Sequence, residues 1–209
     1  FAGLTFFGKE AFSIPDSLAE LEKKESMLCA FSKPFDFLKD NMFGLLADAG
    51  FQGIDLTVRE GGFVSPGNVE KELHQAISDA HKKGLYIPMI ATGITDGEDA
   101  ESIRIIKAAS EAGIKHYRTG YFYYDNKIST ERNLKIFREK LLCLEDINEK
   151  YNIQACYQNH VGNMFGSSVW DLWFLIKDFD SRLIGCQYDI RHAVVEGFAQ
   201  PALQGFCAL

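Results

Sequence analysis

Two short clusters of chemically able side chains stand out in this chain. One holds Gln158, Asn159 and His160; the other, about 30 residues further on, holds Asp189, Arg191, His192 and Glu196. A carboxylate such as Asp189 can hold a divalent cation, and an imidazole three positions later, His192, can grip a substrate hydroxyl or donate a proton. The plainer role for that pair is a helix cap by Asp189 and a loop hydrogen bond by His192. Gln158, Asn159 and His160 are neutral or nearly so, and suit hydrogen bonds to a polyol better than a hard cation. Turn chemistry centred on Asn159 accounts for them equally well. Arg59 and Arg118 could clamp a phosphate or carboxylate, or serve only ion pairs with neighbours such as Asp55 and Glu60. Glu196 is a further acid/base candidate, set against the usual solvated loop glutamate.

Each cluster closes an apolar run. Such runs, at Met27–Phe31, Gly53–Val58, Leu85–Ala91, Ile114–Arg118, Ile153–Tyr157 and Leu183–Tyr188, predict buried strands. Helical patterns separate them, over Phe35–Ala49, Val69–Lys83, Asp99–Ala112, Thr130–Lys150 and Val169–Phe179. Gly50, Gly84 and Gly113 stand where each of the first three helices must stop and turn into a strand. Strand alternating with helix at this spacing predicts an α/β fold with βαβ crossovers and a parallel sheet. Polar residues follow nearly every strand: Ser32 and Lys33, Arg59 and Glu60, Thr92, Arg118, then the two clusters. A barrel draws on all its strand ends, whereas an open sheet concentrates its site at one crevice. GxGxxG and GxxxxGK[ST] turns are missing, which also disfavours the open nucleotide-binding sheets.

The expectation is a TIM-barrel-type parallel (β/α) repeat, incomplete at about six strands where eight take about 250 residues. Residues 1–26 read as an N-terminal extension with a surface helix around Asp16–Glu25. Residues 27–209 read as one barrel-like domain, truncated at its C-terminus or lacking its last two units. A six-stranded curved sheet leaves two open edges, so a homo-oligomer is among the expected assemblies.

With 209 residues and 46% hydrophobic content, the chain can bury one substantial core. A net charge of −7 argues against a nucleic-acid or anionic-membrane footprint, and no apolar stretch reaches the length of a bilayer span. The five cysteines lack CxxC spacing; Cys29, Cys156 and Cys186 lie in apolar runs and are expected to be structural. The chain begins at Phe1, which predicts processing or trimming. Its compartment, cytoplasmic or exported, is not legible in it.

Four segments, GFQGIDLTVR (Gly50–Arg59), HYRTGY (His116–Tyr121), YQNH (Tyr157–His160) and QYDIRHAVVEG (Gln187–Gly197), resemble strand ends of the xylose isomerase-like barrels, the sugar phosphate isomerases and epimerases. The resemblance spans roughly residues 27–197. It implies a TIM barrel with a divalent metal (Mg, Mn, Co or Zn) at its carboxyl face and a small-molecule carbohydrate as partner. It further implies proton transfer beside a carbonyl, through an enediolate whose oxyanion the metal stabilises. On this resemblance Asp189 matches a metal-binding aspartate and His192 a substrate-contacting histidine. Gln158 stands where the epimerases place a glutamate that binds metal and acts as a base. An amide can offer an oxygen to a metal but brings no charge and takes no proton. A histidine and a second glutamate that the family draws from its last two strands have no counterpart before Leu209.

Three functions are therefore in competition. The first is a sugar or sugar phosphate isomerase/epimerase, with His192 and Glu196 as catalytic groups and Arg59, Arg118, Gln158, Asn159, His160 and His192 on the substrate. The second is a degenerate carbohydrate-binding barrel. The third, an apurinic-site endonuclease of the same superfamily, is disfavoured by the negative charge and the thin supply of metal ligands.

Overall fold

The computed structural model describes residues 27–39, 41–162 and 164–195. Its sheet has six parallel strands in the order of the sequence: β1 (Cys29–Phe31), β2 (Gly53–Thr57), β3 (Tyr86–Ala91), β4 (His116–Arg118), β5 (Gln154–Gln158) and β6 (Ile184–Gln187). All six coincide with the apolar runs. The N-terminal extension and its expected helix, Glu196 and Cys207 fall outside the described residues.

Helices alternate with the strands: α1 (Asn41–Asp48), α2 (Val69–Lys82), α3 (Ala100–Glu111), α4 (Thr130–Tyr151), α5 (Val169–Ile176) and α6 (Ile190–Val195). Several are placed by recognisable end chemistry. Asp99 accepts the Ser102 N–H at 2.8 Å to open α3, and Ser129 accepts the Arg132 N–H at 3.2 Å to open α4. Gly84 and Gly113, at φ 74° and 84°, take the left-handed conformation that closes α2 and α3. In α2 the buried residues are Val69, Leu73, Ala76 and Ala80, one stripe turned to the sheet.

Two helical expectations need correction. Phe35–Ala49 is not one helix: a 3-10 turn at Lys33–Leu38 precedes α1, and the chain breaks at Lys39, which sits at φ 48°. Helix α6, expected only as whatever Asp189 might cap, had no predicted extent, because its six residues are too few to show a period.

The two faces of the sheet differ in chemistry. Ala30, Ile54, Leu56, Ile90, Tyr117, Ala155, Tyr157 and Ile184 join the helix-facing apolar core. Alternate positions turn the other way, since strand side chains alternate between faces, and these carry Phe31, Asp55, Arg118, Cys156, Gln158 and Gln187. Contacts among them measure the curvature. Gln187 on β6 donates to Asp55 on β2 at 3.3 Å, across 132 residues. The Arg118 guanidinium on β4 lies 4.9 Å from the ring centre of Phe31 on β1. A flat six-stranded sheet would hold β2 and β6 about 19 Å apart, four strand spacings. The sheet is thus rolled into a barrel wall with a polar lumen, and among the described residues no strand pairs with the outer edges of β1 and β6.

Cys29, Cys156 and Cys186 are free, and burial raises the thiol of each, Cys29 to about 11 and Cys156 to about 12. They are thiols rather than thiolates near neutrality, which fits packing and not redox chemistry.

Candidate functional site

The two polar clusters meet at the carboxyl ends of β5 and β6. Gln158, the last residue of β5, donates from Nε2 to Asp189 Oδ2 at 3.0 Å. Asn159 is fully buried and clasps the Asp189 backbone, its amide donating to the carbonyl at 2.9 Å and its carbonyl accepting the N–H at 2.6 Å. Asn159 is thus a clamp between adjacent strand ends, and both of its amide groups are already used. Asp189 Oδ1 accepts the backbone N–H of His192 at 3.1 Å, so the aspartate does cap α6. The cap also aims His192 inward, with Nε2 3.7 Å from Asp189 Oδ2.

His160 lies against His192, ring centres 4.0 Å apart, and 5.0 Å from the ring of Tyr121. Its Nδ1 is 2.9 Å from the Val161 carbonyl. Burial pulls His192 below the ordinary imidazole value; Asp189 opposes that shift, while His160, Arg191 and Arg118 reinforce it. The ring is therefore neutral near pH 7. A proton on Nε2, facing Asp189, leaves Nδ1 as the free base, and Nδ1 is buried with no hydrogen-bond partner.

Arg118 reaches the cluster from the end of β4. Only 5% exposed, it donates from Nη1 to Gln158 Oε1 at 3.1 Å. Tyr121, in the loop after β4, donates its hydroxyl to the same oxygen at 2.5 Å. Burial raises the Tyr121 phenol, keeping it protonated as that donor. Arg59, half-buried after β2, feels Arg118 electrostatically: burial first and Arg118 second lower it from the usual guanidinium value. Neither arginine forms an ion pair with a carboxylate among the described residues. The structure thus groups Gln158, His160, Asp189, His192 and Arg118, with Arg59 at the same end.

Asp55, Gln187 and Tyr121 are members that the strand-end reading missed. Asp55 is buried, and burial raises its carboxyl against the opposing pull of Arg118. Asp55 Oδ1, Gln187 Oε1 and Arg118 Nε are buried with no hydrogen-bond partner. The available signal was an acid at the inward phase of a strand buried on both faces. Two surface clefts of about 260 and 280 Å³ lie elsewhere, one between α4 and α5 and one beside Tyr86, and neither borders this cluster.

Gln158 and Asp189, as arranged, do not present a ready-made divalent-cation site. Among the described residues no group of three or more His, Cys, Asp or Glu side chains is placed to hold a metal ion. Gln158 Oε1 has both lone pairs engaged, by Arg118 and Tyr121, so it could ligate a metal only by releasing one of them; each Asp189 carboxylate oxygen accepts one hydrogen bond.

The model of the xylose isomerase-like TIM barrel family matches residues 43–204. No curated protein matches the chain. Among solved structures, the probable 3-DHS dehydratase AsbF of petrobactin synthesis from Bacillus anthracis shares 15% identity at TM-score 0.65, covering 85% of this chain and 68% of its own. A D-psicose 3-epimerase crystallised in the presence of D-fructose shares 14% at 0.54, covering 75% and 60%. The IOLI protein with a bound zinc atom shares 13% at 0.57, covering 79% and 67%. This chain therefore spans less than two thirds of the length of the psicose epimerase it matches, and at these identities the likeness is one of fold.

Proposed function

The chain belongs to the xylose isomerase-like TIM barrel family, and from that premise we propose that its strand-end cluster binds a sugar and moves a proton beside the sugar's carbonyl. The observation that carries this reading is the convergence of His192, Asp189, Gln158, His160 and Arg118 at one end of the barrel. His192 Nδ1 takes a proton from the carbon next to the carbonyl; the C–H electrons form a carbon–carbon double bond, and the carbonyl π electrons move onto oxygen. A proton delivered to the same carbon by a second acid on the opposite face gives epimerisation; delivery to the former carbonyl carbon, with the adjacent hydroxyl proton passing to the first oxygen, gives isomerisation. Neither outcome changes the overall oxidation level. Asp189 orients the imidazole and stabilises its protonated form, as a carboxylate does for a catalytic histidine elsewhere. Gln158 and His160 contribute hydrogen bonds to hydroxyls. Glu196 remains an acid/base candidate from its sequence position alone.

A second reading, a barrel that holds carbohydrate without turning it over, is favoured by one observation: position 158 carries an amide, which cannot accept a proton at neutral pH. Proton NMR separates the two. The chain is incubated in D₂O with D-fructose and with D-ribulose 5-phosphate. Deuterium wash-in beside the carbonyl, lost in His192→Asn, supports proton transfer. A sugar-induced rise in Tm without wash-in supports the binding barrel. Neither effect with any ketose or ketose phosphate would end both readings.

A further inference from the structure

The family resemblance implies a cation held at the Gln158 and Asp189 positions, and in this chain a guanidinium is bonded to Gln158. We infer that Arg118, and not a divalent metal ion, supplies the positive charge that meets the carbonyl oxygen of a bound sugar. This rests on the proton-transfer reading above and adds the electrophile to it.

Arg118 is held too firmly to yield that place. Its guanidinium carbon lies 4.9 Å from the Phe31 ring centre, its Nη1 bonds Gln158 Oε1 at 3.1 Å, and it is almost wholly buried. An ion ligated by Gln158 Oε1 would sit against a fixed cation and would have to displace both Arg118 and Tyr121 from the oxygen. The residue change at position 158 and the arginine are complementary: a neutral carbonyl accepts a guanidinium without adding a second negative charge beside Asp189.

Arg118 also retains unused capacity. Guanidinium carries five N–H donors, and Nε is buried here without a partner. A buried donor held in place costs little reorganisation when negative charge develops on an oxygen before it, which is the physical basis of oxyanion stabilisation. In the enediolate step the carbonyl oxygen gains that charge as His192 takes the proton, and the guanidinium holds it through hydrogen bonds without itself changing protonation state.

The test has two readouts. Mn²⁺ is titrated into the full chain and followed by electron paramagnetic resonance, in the native protein and in Asp189→Asn. No binding, or binding indifferent to Asp189→Asn, is expected; one Mn²⁺ per chain that disappears in Asp189→Asn overturns the inference. Deuterium wash-in into D-fructose and D-ribulose 5-phosphate is then measured with excess EDTA. Undiminished exchange is expected, with kcat falling about 100-fold or more in Arg118→Lys at little cost in KM. Exchange abolished by EDTA and restored by Mn²⁺ sinks the role of Arg118 while leaving proton transfer intact. Absence of exchange under every condition removes the proton-transfer reading itself, and the Mn²⁺ titration still decides the ion should Arg118→Lys fail to fold.

Discussion

Replacing Gln158 with Glu would put a second carboxylate where an amide N–H now points at Asp189 Oδ2 from 3.0 Å. At an effective dielectric near 20, the new repulsion is about 5 kcal/mol. Arg118, 3.1 Å from the other oxygen, returns an attraction of about the same size. The two nearly cancel, so the lost amide-to-carboxylate hydrogen bond decides the sign, at about 1.5–3 kcal/mol. For a domain of this size the loss lowers Tm by about 3–12 °C. Protonation repairs the defect, because a carboxylic acid at position 158 can again donate to Asp189. The folded pair then holds a proton above the unfolded glutamate value of about 4.3. Between that value and the raised one the folded state binds more protons, so the variant loses stability relative to the native chain as pH rises. Thermal melts of both proteins at pH 5 and pH 8 check this. A deficit equal at the two pH values, or no deficit at pH 8, refutes the Gln158–Asp189 contact as drawn.

Other perturbations have equally definite outcomes. Asp55→Asn removes a buried carboxyl whose ionisation opposes folding above the unfolded value near 3.9. The variant should melt higher than the native chain at pH 8, by about 2–4 °C for each kcal/mol recovered, with the gain vanishing below about pH 4. A lower Tm at pH 8 would show that Arg118 outweighs desolvation there. His192→Asn should cut deuterium wash-in by about 10²–10⁴-fold. In the native chain the exchange rate should fall as pH drops through the His192 value, an acidic limb below 6.5; a rate flat down to pH 5 would point to another base. Gly120→Ala would bring a Cβ to 2.5 Å from the Gly93 carbonyl and 2.8 Å from Thr95 Cγ2. Melting should show a loss of about 1–3 kcal/mol. The displaced loop should also slow exchange through Tyr121.

The strands were legible because a parallel sheet covered on both faces is written as short apolar runs. The glycines closing α2 and α3 marked the turns between units. Lys39 was not legible as a break, since nothing in its side chain announces a left-handed backbone, and α6 was too short to show its period. The strand-end clusters were visible as residue types. Their division of labour was not, because it depends on contacts across 30 to 132 residues: Asn159 clasping the Asp189 backbone, Arg118 capping Gln158, Gln187 meeting Asp55. Asp189 caps α6, as the plainer of its two sequence readings had it, and it also faces His192. The expected metal ligation by Gln158 meets a carbonyl already engaged by two donors.

The most direct test of the strand-end cluster as the sugar site is a proton–nitrogen NMR titration of the five histidine rings with D-fructose and D-ribulose 5-phosphate. His74 and His81 on α2, and His116 at the amino end of β4, serve as internal controls. The account predicts that His160 and His192 shift together and saturate at one ligand concentration, and that the response is lost in Asp189→Asn. Shifts confined to the three control histidines, or silence at His160 and His192 while Tm rises, would place the ligand elsewhere and contradict it.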